Sequence, residues 1–115
     1  MNKERVIKVL FVKPNEEPEV INIRDDLKVM EELVGGSIEE YMPFDDEVAL
    51  ICNEEGELRN LSVNRNIYDE NGTIMDVVHG NFFLCKVEVI SEVFESLSSY
   101  EIEKYKELFK YSKGK

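Results

Sequence analysis

The sequence predicts an α+β fold: a mainly antiparallel sheet of about five to seven strands, one short internal helix and a C-terminal amphipathic helix. Three observations support this class. Short β-branched and aromatic runs are separated by turn residues, as in antiparallel sheets. An early stretch of helical periodicity ends in a double glycine, and the last such stretch opens with a helix-capping motif. We therefore expect a single globular domain over residues 1–115.

The first two strands form a predicted hairpin. Val6–Val12 is β-branched and aromatic, and residues 19–23 alternate between apolar and polar. The segment between them, residues 15–18, contains asparagine and proline and is typical of a turn.

A short helix follows this hairpin. Asp25 or Asp26 is placed to cap it, because an aspartate oxygen there accepts free backbone N–H groups. Gly35 and Gly36 end it, since glycine tolerates the left-handed backbone of helix C-termini. One face of the helix carries the apolar residues Leu27, Met30, Leu33 and Val34.

The middle of the chain predicts strands joined by acidic turns. In the run Asn53-Glu54-Glu55-Gly56 we expect a tight turn whose glycine has positive φ. Asn71-Gly72 is a strong hairpin signal, and Gly80-Asn81 marks a second turn. The strands we expect are residues 38–42, 48–53, a weaker one within 58–63, 67–68, 73–78 and 82–90.

The C-terminal helix begins at a predicted capping box, in which Ser98 reaches forward and Glu101 reaches back. Its apolar stripe is Ile102, Tyr105, Leu108 and Phe109. Residues 112–115 are expected to be a frayed tail.

The charge is strongly and unevenly acidic. The net charge is -11, and residues 14–76 contain 18 acidic and 4 basic side chains. Because such a surface repels phosphate, we expect no direct nucleic-acid binding and no binding to anionic membranes. It fits a protein partner with a basic surface, or solubility alone. The acidic partner surface would comprise Glu39, Glu40, Asp45, Asp46, Glu47, Glu54, Glu55 and Glu57.

Cys52 and Cys85 each lie within an apolar run, outside any metal-binding spacing. Two reduced, buried residues are the main interpretation, and a disulfide between neighbouring strands is the alternative. The N-terminal apolar run is too short for a signal peptide or a membrane span, so a cytoplasmic location is expected. No metal and no cofactor are predicted.

The pair Asn64-Arg65 is the strongest ligand-binding candidate. Arg65 could hold acidic side chains inside the fold, or it could grip a phosphate or carboxylate of a ligand. The full set of candidate ligand-binding residues is Asn53, Asn64, Arg65, His79, Asn81 and Phe83. The single histidine, His79, would serve catalysis only if it met Cys85 or a carboxylate within hydrogen-bond reach.

Four segments resemble the domain of unknown function 3846 family: LVGGSIEEYMPFDDEVALICNEEG (33–56), LSVNR (61–65), DVVHGNFFLC (76–85) and FESLSSYEIEKYKELF (94–109). The chain departs from the family pattern at Ser37, where an aromatic residue often stands, and at His79, where a small residue is usual. The resemblance implies small proteins of plasmids, phages and other mobile elements of Gram-positive bacteria. It implies no activity.

The resulting hypothesis is a small, acidic, non-enzymatic binding protein of a mobile element, such as an inhibitor of a host defence or restriction protein. The alternatives are a sequestering protein for a small, nucleotide-like ligand and an enzyme that uses His79. Edge strands could also pair two copies into a homodimer.

Overall fold

The computed structural model describes residues 4–111. In that range the elements are β1 (Val6–Val12), β2 (Glu19–Arg24), α1 (Leu27–Val34), β3 (Ile38–Tyr41), β4 (Val48–Asn53), β5 (Val63–Tyr68), β6 (Ile74–His79), β7 (Phe82–Glu88), β8 (Val93–Glu95) and α2 (Ser99–Leu108). The predicted frayed tail, residues 112–115, lies outside the described residues.

Six strands form one antiparallel sheet in the order β2-β1-β7-β4-β3, with β8 pairing the second half of β7. β1 pairs with residues 82–84 of β7, and β8 pairs with residues 86–88 on the same side. β5 and β6 form a separate antiparallel pair. The predicted class, α+β with a mainly antiparallel sheet and a C-terminal helix, is confirmed.

The main sheet is covered on both faces. Phe82 and Leu84 of β7 pack with α2 and the β5–β6 hairpin, and we call this side the α2 face. Phe83 and Cys85 pack with α1, on the side we call the α1 face. Because β4 and β7 are buried on both faces, their sequences are continuous apolar runs.

Helix α1 follows the prediction closely. The Asp26 side chain caps it by accepting a hydrogen bond from the Lys28 backbone N–H at 3.0 Å. Gly35 ends it with φ 81°, the left-handed conformation. Met30 and Val34 are buried, whereas Leu27, at the first turn, is exposed.

The weak strand predicted within 58–63 is wrong. Residues 54–60 form turns in which the Arg59 N–H donates to the Glu55 carbonyl at 2.8 Å. Leu58 is 87% exposed, so it has no apolar surface to pack against. The strand begins only at Val63.

The long strand predicted over 82–90 ends early, at Glu88. Glu92 then adopts φ 58° and the chain returns as β8. Val89 and Ile90 are left exposed in this turn. The turn was missed because it contains none of the Gly, Pro or Asn residues that usually mark one.

Helix α2 is anchored at both its start and its middle. The capping box is confirmed: Ser98 Oγ accepts from the Glu101 N–H at 3.1 Å, and Glu101 Oε1 accepts from the Ser98 N–H at 2.8 Å. The buried Tyr105 hydroxyl lies 2.7 Å from both carboxylate oxygens of Asp46. Leu108, predicted on the buried stripe, is instead 55% exposed.

The contacts of Asp46 change its titration. Burial alone would raise its pKa, but hydrogen bonds from Tyr105 and Lys104 outweigh burial and lower the pKa below the ordinary value of 3.8. A carboxyl group with a depressed folded-state pKa stabilises the fold above its unfolded-state pKa. That stabilisation is lost as the pH falls through the folded-state pKa.

We predict that Tyr105→Phe lowers the free energy of unfolding by about 1.5–3 kcal/mol at pH 7, because a hydrogen bond to a charged group is lost. The loss should shrink as the pH falls through the lowered folded-state pKa of Asp46, because the protonated group no longer accepts a charged hydrogen bond. Urea unfolding at pH 7 and over a series of acidic pH values measures the change. Tyr100→Phe is the matched control, since Tyr100 lies on the same helix and is 76% exposed. Equal effects of the two substitutions would contradict the anchoring role.

Candidate functional site

The six candidate ligand-binding residues do not share one cavity. Asn64 and Arg65 line a cavity of about 290 Å³ between β5 and the end of α2. Asn53 and His79 line a second one, of about 150 Å³. Asn81 lines a third. Phe83 lies in the core and is fully buried. The prediction that it contacts a ligand is therefore wrong.

Arg65 joins three parts of the chain. Its Nε donates to the Phe109 carbonyl at 2.9 Å, and its Nη2 donates to the Glu16 carbonyl at 2.6 Å. Its Nη1 donates to Asn64, at 2.8 Å to Oδ1 and 3.2 Å to the carbonyl. Burial lowers its pKa. In the described part of the chain Arg65 forms no ion pair. We expected acidic side chains as its partners within the fold, but carbonyl oxygens accept its hydrogen bonds instead.

Asn64 ties the end of β1 to the β6–β7 turn. Its Nδ2 donates to the Val12 carbonyl at 3.0 Å and to the Gly80 carbonyl at 2.8 Å. Gly80 has φ 81°, and a Cβ there would lie 2.7 Å from Cδ1 of Leu61. The amide of Asn64 is therefore committed to holding this turn.

Asn53 and Asn81 satisfy the end of α1. Asn53 Nδ2 donates to the Val34 carbonyl at 3.1 Å, and Asn81 Nδ2 donates to the Leu33 carbonyl at 3.2 Å. The last carbonyls of a helix have no partner within the helix, and burial makes an unpaired one costly. Both asparagines thus supply donors that α1 itself lacks.

His79 and Gly56 hold the turn of residues 54–60 against β6. His79 Nδ1 lies 3.1 Å from the Leu61 carbonyl. A Cβ at Gly56 would lie 2.8 Å from the His79 carbonyl oxygen, so only glycine fits this contact. The expected positive φ at Gly56 is wrong, since its φ is not in the left-handed region.

The two cysteines are free and lie on opposite faces of the sheet, so the disulfide alternative is wrong. Cys85 is fully buried, and burial raises its pKa. Cys52 is half-buried and shares the cavity of His79. Burial, with the charges of Glu39 and Asp76, raises its pKa to about 11. A thiol with such a pKa is protonated at neutral pH and is a poor nucleophile.

Four carboxylates surround the cavity that His79 and Cys52 line. They come from β3, from the turn of residues 54–60 and from β6, and all four are exposed. None forms an ion pair within the described residues 4–111. We name this site the acidic concavity and define it by Glu39, Glu54, Glu57 and Asp76.

The acidic concavity raises the pKa of a tyrosine in its wall. Burial of Tyr41 is the largest cause, and the negative charges of Asp76 and Glu39 add to it, whereas Cys52 adds to it only once its thiol has ionised. The local potential is therefore negative, as the composition indicates.

The rest of the predicted acidic surface does not join this site. Glu40 points to the opposite sheet face, because neighbouring strand residues alternate. Asp46 is committed to α2, and Glu55 is ion-paired at 3.4 Å with Arg59. Asp45, Glu47 and the members of the acidic concavity remain exposed. Asp76 was missed in the sequence, because it reaches the site only through the packing of β6 beside β3, β4 and the turn of residues 54–60.

No metal centre is formed by the described residues. Across residues 4–111, no three His, Cys, Asp or Glu side chains are grouped so that they could hold an ion. In the same range, neither helix is long and apolar enough to cross a membrane.

The fold and the site define a small α+β protein with an acidic concavity at one end of its sheet. A family model described as "Domain of unknown function (DUF3846)" matches residues 7–110. The chain belongs to this family, which confirms the resemblance seen in the sequence. No curated protein and no solved structure matches the chain.

We predict that Arg65→Lys lowers the free energy of unfolding by about 1–3 kcal/mol, because one ammonium group cannot replace a planar fork that meets three carbonyls. Chemical denaturation measures the change. Arg59→Lys is the control, since Arg59 forms only an exposed ion pair. If Arg65→Lys leaves stability unchanged, the structural role of Arg65 is contradicted, and ligand binding becomes the better explanation of this residue.

Proposed function

We propose that this protein is a cytoplasmic, non-enzymatic binding protein whose acidic concavity holds the basic surface of a partner protein. The observation that carries the proposal is the convergence of Glu39, Glu54, Glu57 and Asp76 without an ion pair in residues 4–111. Four like charges around one concavity repel each other, and a cationic surface would relieve that repulsion.

The net charge of -11 supports the same proposal through association kinetics. A strongly acidic protein is steered towards basic surfaces, and salt screens the steering. Binding through exposed carboxylates should therefore be fast and sensitive to salt.

The partner is best described by its chemistry. A protein surface that holds DNA phosphates with Lys and Arg would meet the carboxylates of the acidic concavity in the same way. The mobile-element setting implied by the family resemblance fits such a partner. Inhibition of a host defence or restriction protein is the function we propose on this basis.

The contacts of the candidate residues disfavour the two alternatives. A nucleotide-like ligand would need free donors, whereas Arg65 already donates to three carbonyl oxygens. An enzyme would need an activated nucleophile, whereas the pKa values of both thiols are raised.

The test compares two variants of equal net charge. The concavity variant carries Glu39→Gln, Glu54→Gln, Glu57→Gln and Asp76→Asn. The control carries Glu19→Gln, Glu32→Gln, Glu70→Gln and Glu103→Gln, all at exposed positions outside the concavity.

We predict that pull-downs from host lysate recover a basic protein with the wild type and the control, and that its yield falls between about 50 and 300 mM salt. The concavity variant should bind at least about tenfold more weakly, since each exposed ion pair contributes about 0.5 kcal/mol. The proposal fails if low salt recovers no basic protein. It also fails if both variants lose binding equally, because net charge alone would then explain the interaction.

A further inference from the structure

A second acidic cavity lies on the α1 face of the sheet. Its volume is about 330 Å³, and its wall is formed by Asp25, Glu40, Glu92, Val93 and Phe94. The carboxylates come from three separate segments: the β2–α1 junction, β3 and the β7–β8 turn. Val93 and Phe94 supply an apolar wall beside them. Glu40 and Glu39 are neighbours on β3 and face opposite ways, so this cavity is separate from the acidic concavity.

Asp25 has an unused acceptor. The residue is only 4% exposed, and its Oδ1 is buried without a hydrogen-bond partner. No other buried side-chain nitrogen or oxygen in residues 4–111 is left in this state. A buried carboxylate oxygen without a donor costs free energy, and such atoms are rare in folded proteins. A ligand that brings a donor to Asp25 would remove this cost.

Among residues 4–111, Arg5 is the one cation that pairs with Asp25, and it does not neutralise the group. Arg5 Nη2 lies 3.4 Å from Asp25 Oδ2, and the same guanidinium also donates to the Phe94 carbonyl and, at 3.2 Å, to Glu95. One positive charge thus serves two carboxylates, while Glu40 and Glu92 form no ion pair in the described part of the chain. The cavity keeps an excess of negative charge.

Two further features mark the same place. The charges of Glu40 and Asp25 both add to the effect of burial in raising the pKa of Cys85, so the two carboxylates act on one region of the core. Glu92 adopts φ 58°, a left-handed backbone that glutamate rarely takes. Glycine would be less strained at position 92, yet the turn carries a glutamate there, and its carboxylate lies at the cavity.

We propose that this cavity binds one long-chain cation, an alkylguanidinium or alkylammonium group. The charged head meets Asp25, Glu40 and Glu92, and the aliphatic stem packs on Val93 and Phe94. The apolar wall favours an organic cation over a metal ion, in agreement with the absence of a metal-holding group in residues 4–111. A Lys or Arg side chain of a partner and a free polyamine both carry this chemistry.

The test is an NMR titration of the whole protein with n-butylguanidinium, with n-pentanol as a neutral probe of similar shape. We expect saturable shifts at Val93 and Phe94 with the cation alone. Asp25→Asn should weaken binding about tenfold, because a buried charged hydrogen bond is lost. Glu40→Gln should weaken it about two- to fivefold, as for an exposed charge pair. Glu103→Gln, at an exposed position on α2 and outside both acidic sites, should leave it unchanged.

The Glu92→Gly variant distinguishes a loss of cation binding from a loss of folding stability, because it should change the two in opposite directions. It should raise stability, because glycine relieves the left-handed backbone, and yet weaken binding of the cation about two- to fivefold. Saturable binding of n-pentanol, or equal affinity of wild type, Glu40→Gln and Glu92→Gly for the cation, would overturn the proposal. Tighter binding of an Arg-containing peptide than of spermidine would identify the source as a protein side chain. The reverse order would identify a free polyamine.

Discussion

Buried backbone carbonyls need hydrogen-bond donors, and this need organises the protein around its sheet. Covering both faces of the sheet buries the ends of β1, α1 and α2, where carbonyl groups have no partner within their own element. Side chains from distant segments supply the donors: Asn53 and Asn81 at the end of α1, Asn64 at the end of β1 and Arg65 at the end of α2. The loops that carry these residues are fixed by the same bonds.

The distribution of surface charge follows from that arrangement. Arg65, Asn53, Asn64 and Asn81 donate their hydrogen bonds to carbonyl groups within the fold, whereas the outer surface around β3 carries carboxylates. β3 then divides the negative charge between two faces, because Glu39 and Glu40 alternate along an extended strand. One acidic sequence run thereby contributes to two separate sites with different chemistry: an open concavity and a partly apolar cavity.

Local signals made much of the fold predictable. The Gly35 stop and the Ser98 capping box depend on neighbouring residues and were identified from the sequence, which also narrowed the cap of α1 to Asp25 or Asp26. β8 was missed because the β7–β8 turn carries no Gly, Pro or Asn. The contribution of Asp76 to the acidic concavity was missed because contacts between distant segments are not visible in one sequence. Asn64 and Arg65 were recognised as unusual, but a sequence does not show whether a donor meets a ligand or a distant carbonyl.

The close contact between Gly56 and the His79 carbonyl has a consequence for recognition. It fixes the turn that carries Glu54 and Glu57 against the strand that carries Asp76. The backbone that carries these carboxylates is therefore fixed before the proposed partner binds, and little backbone entropy would be lost on association. With a fixed turn, the association rate would be set by diffusion and charge, because no slow rearrangement of the turn has to precede binding.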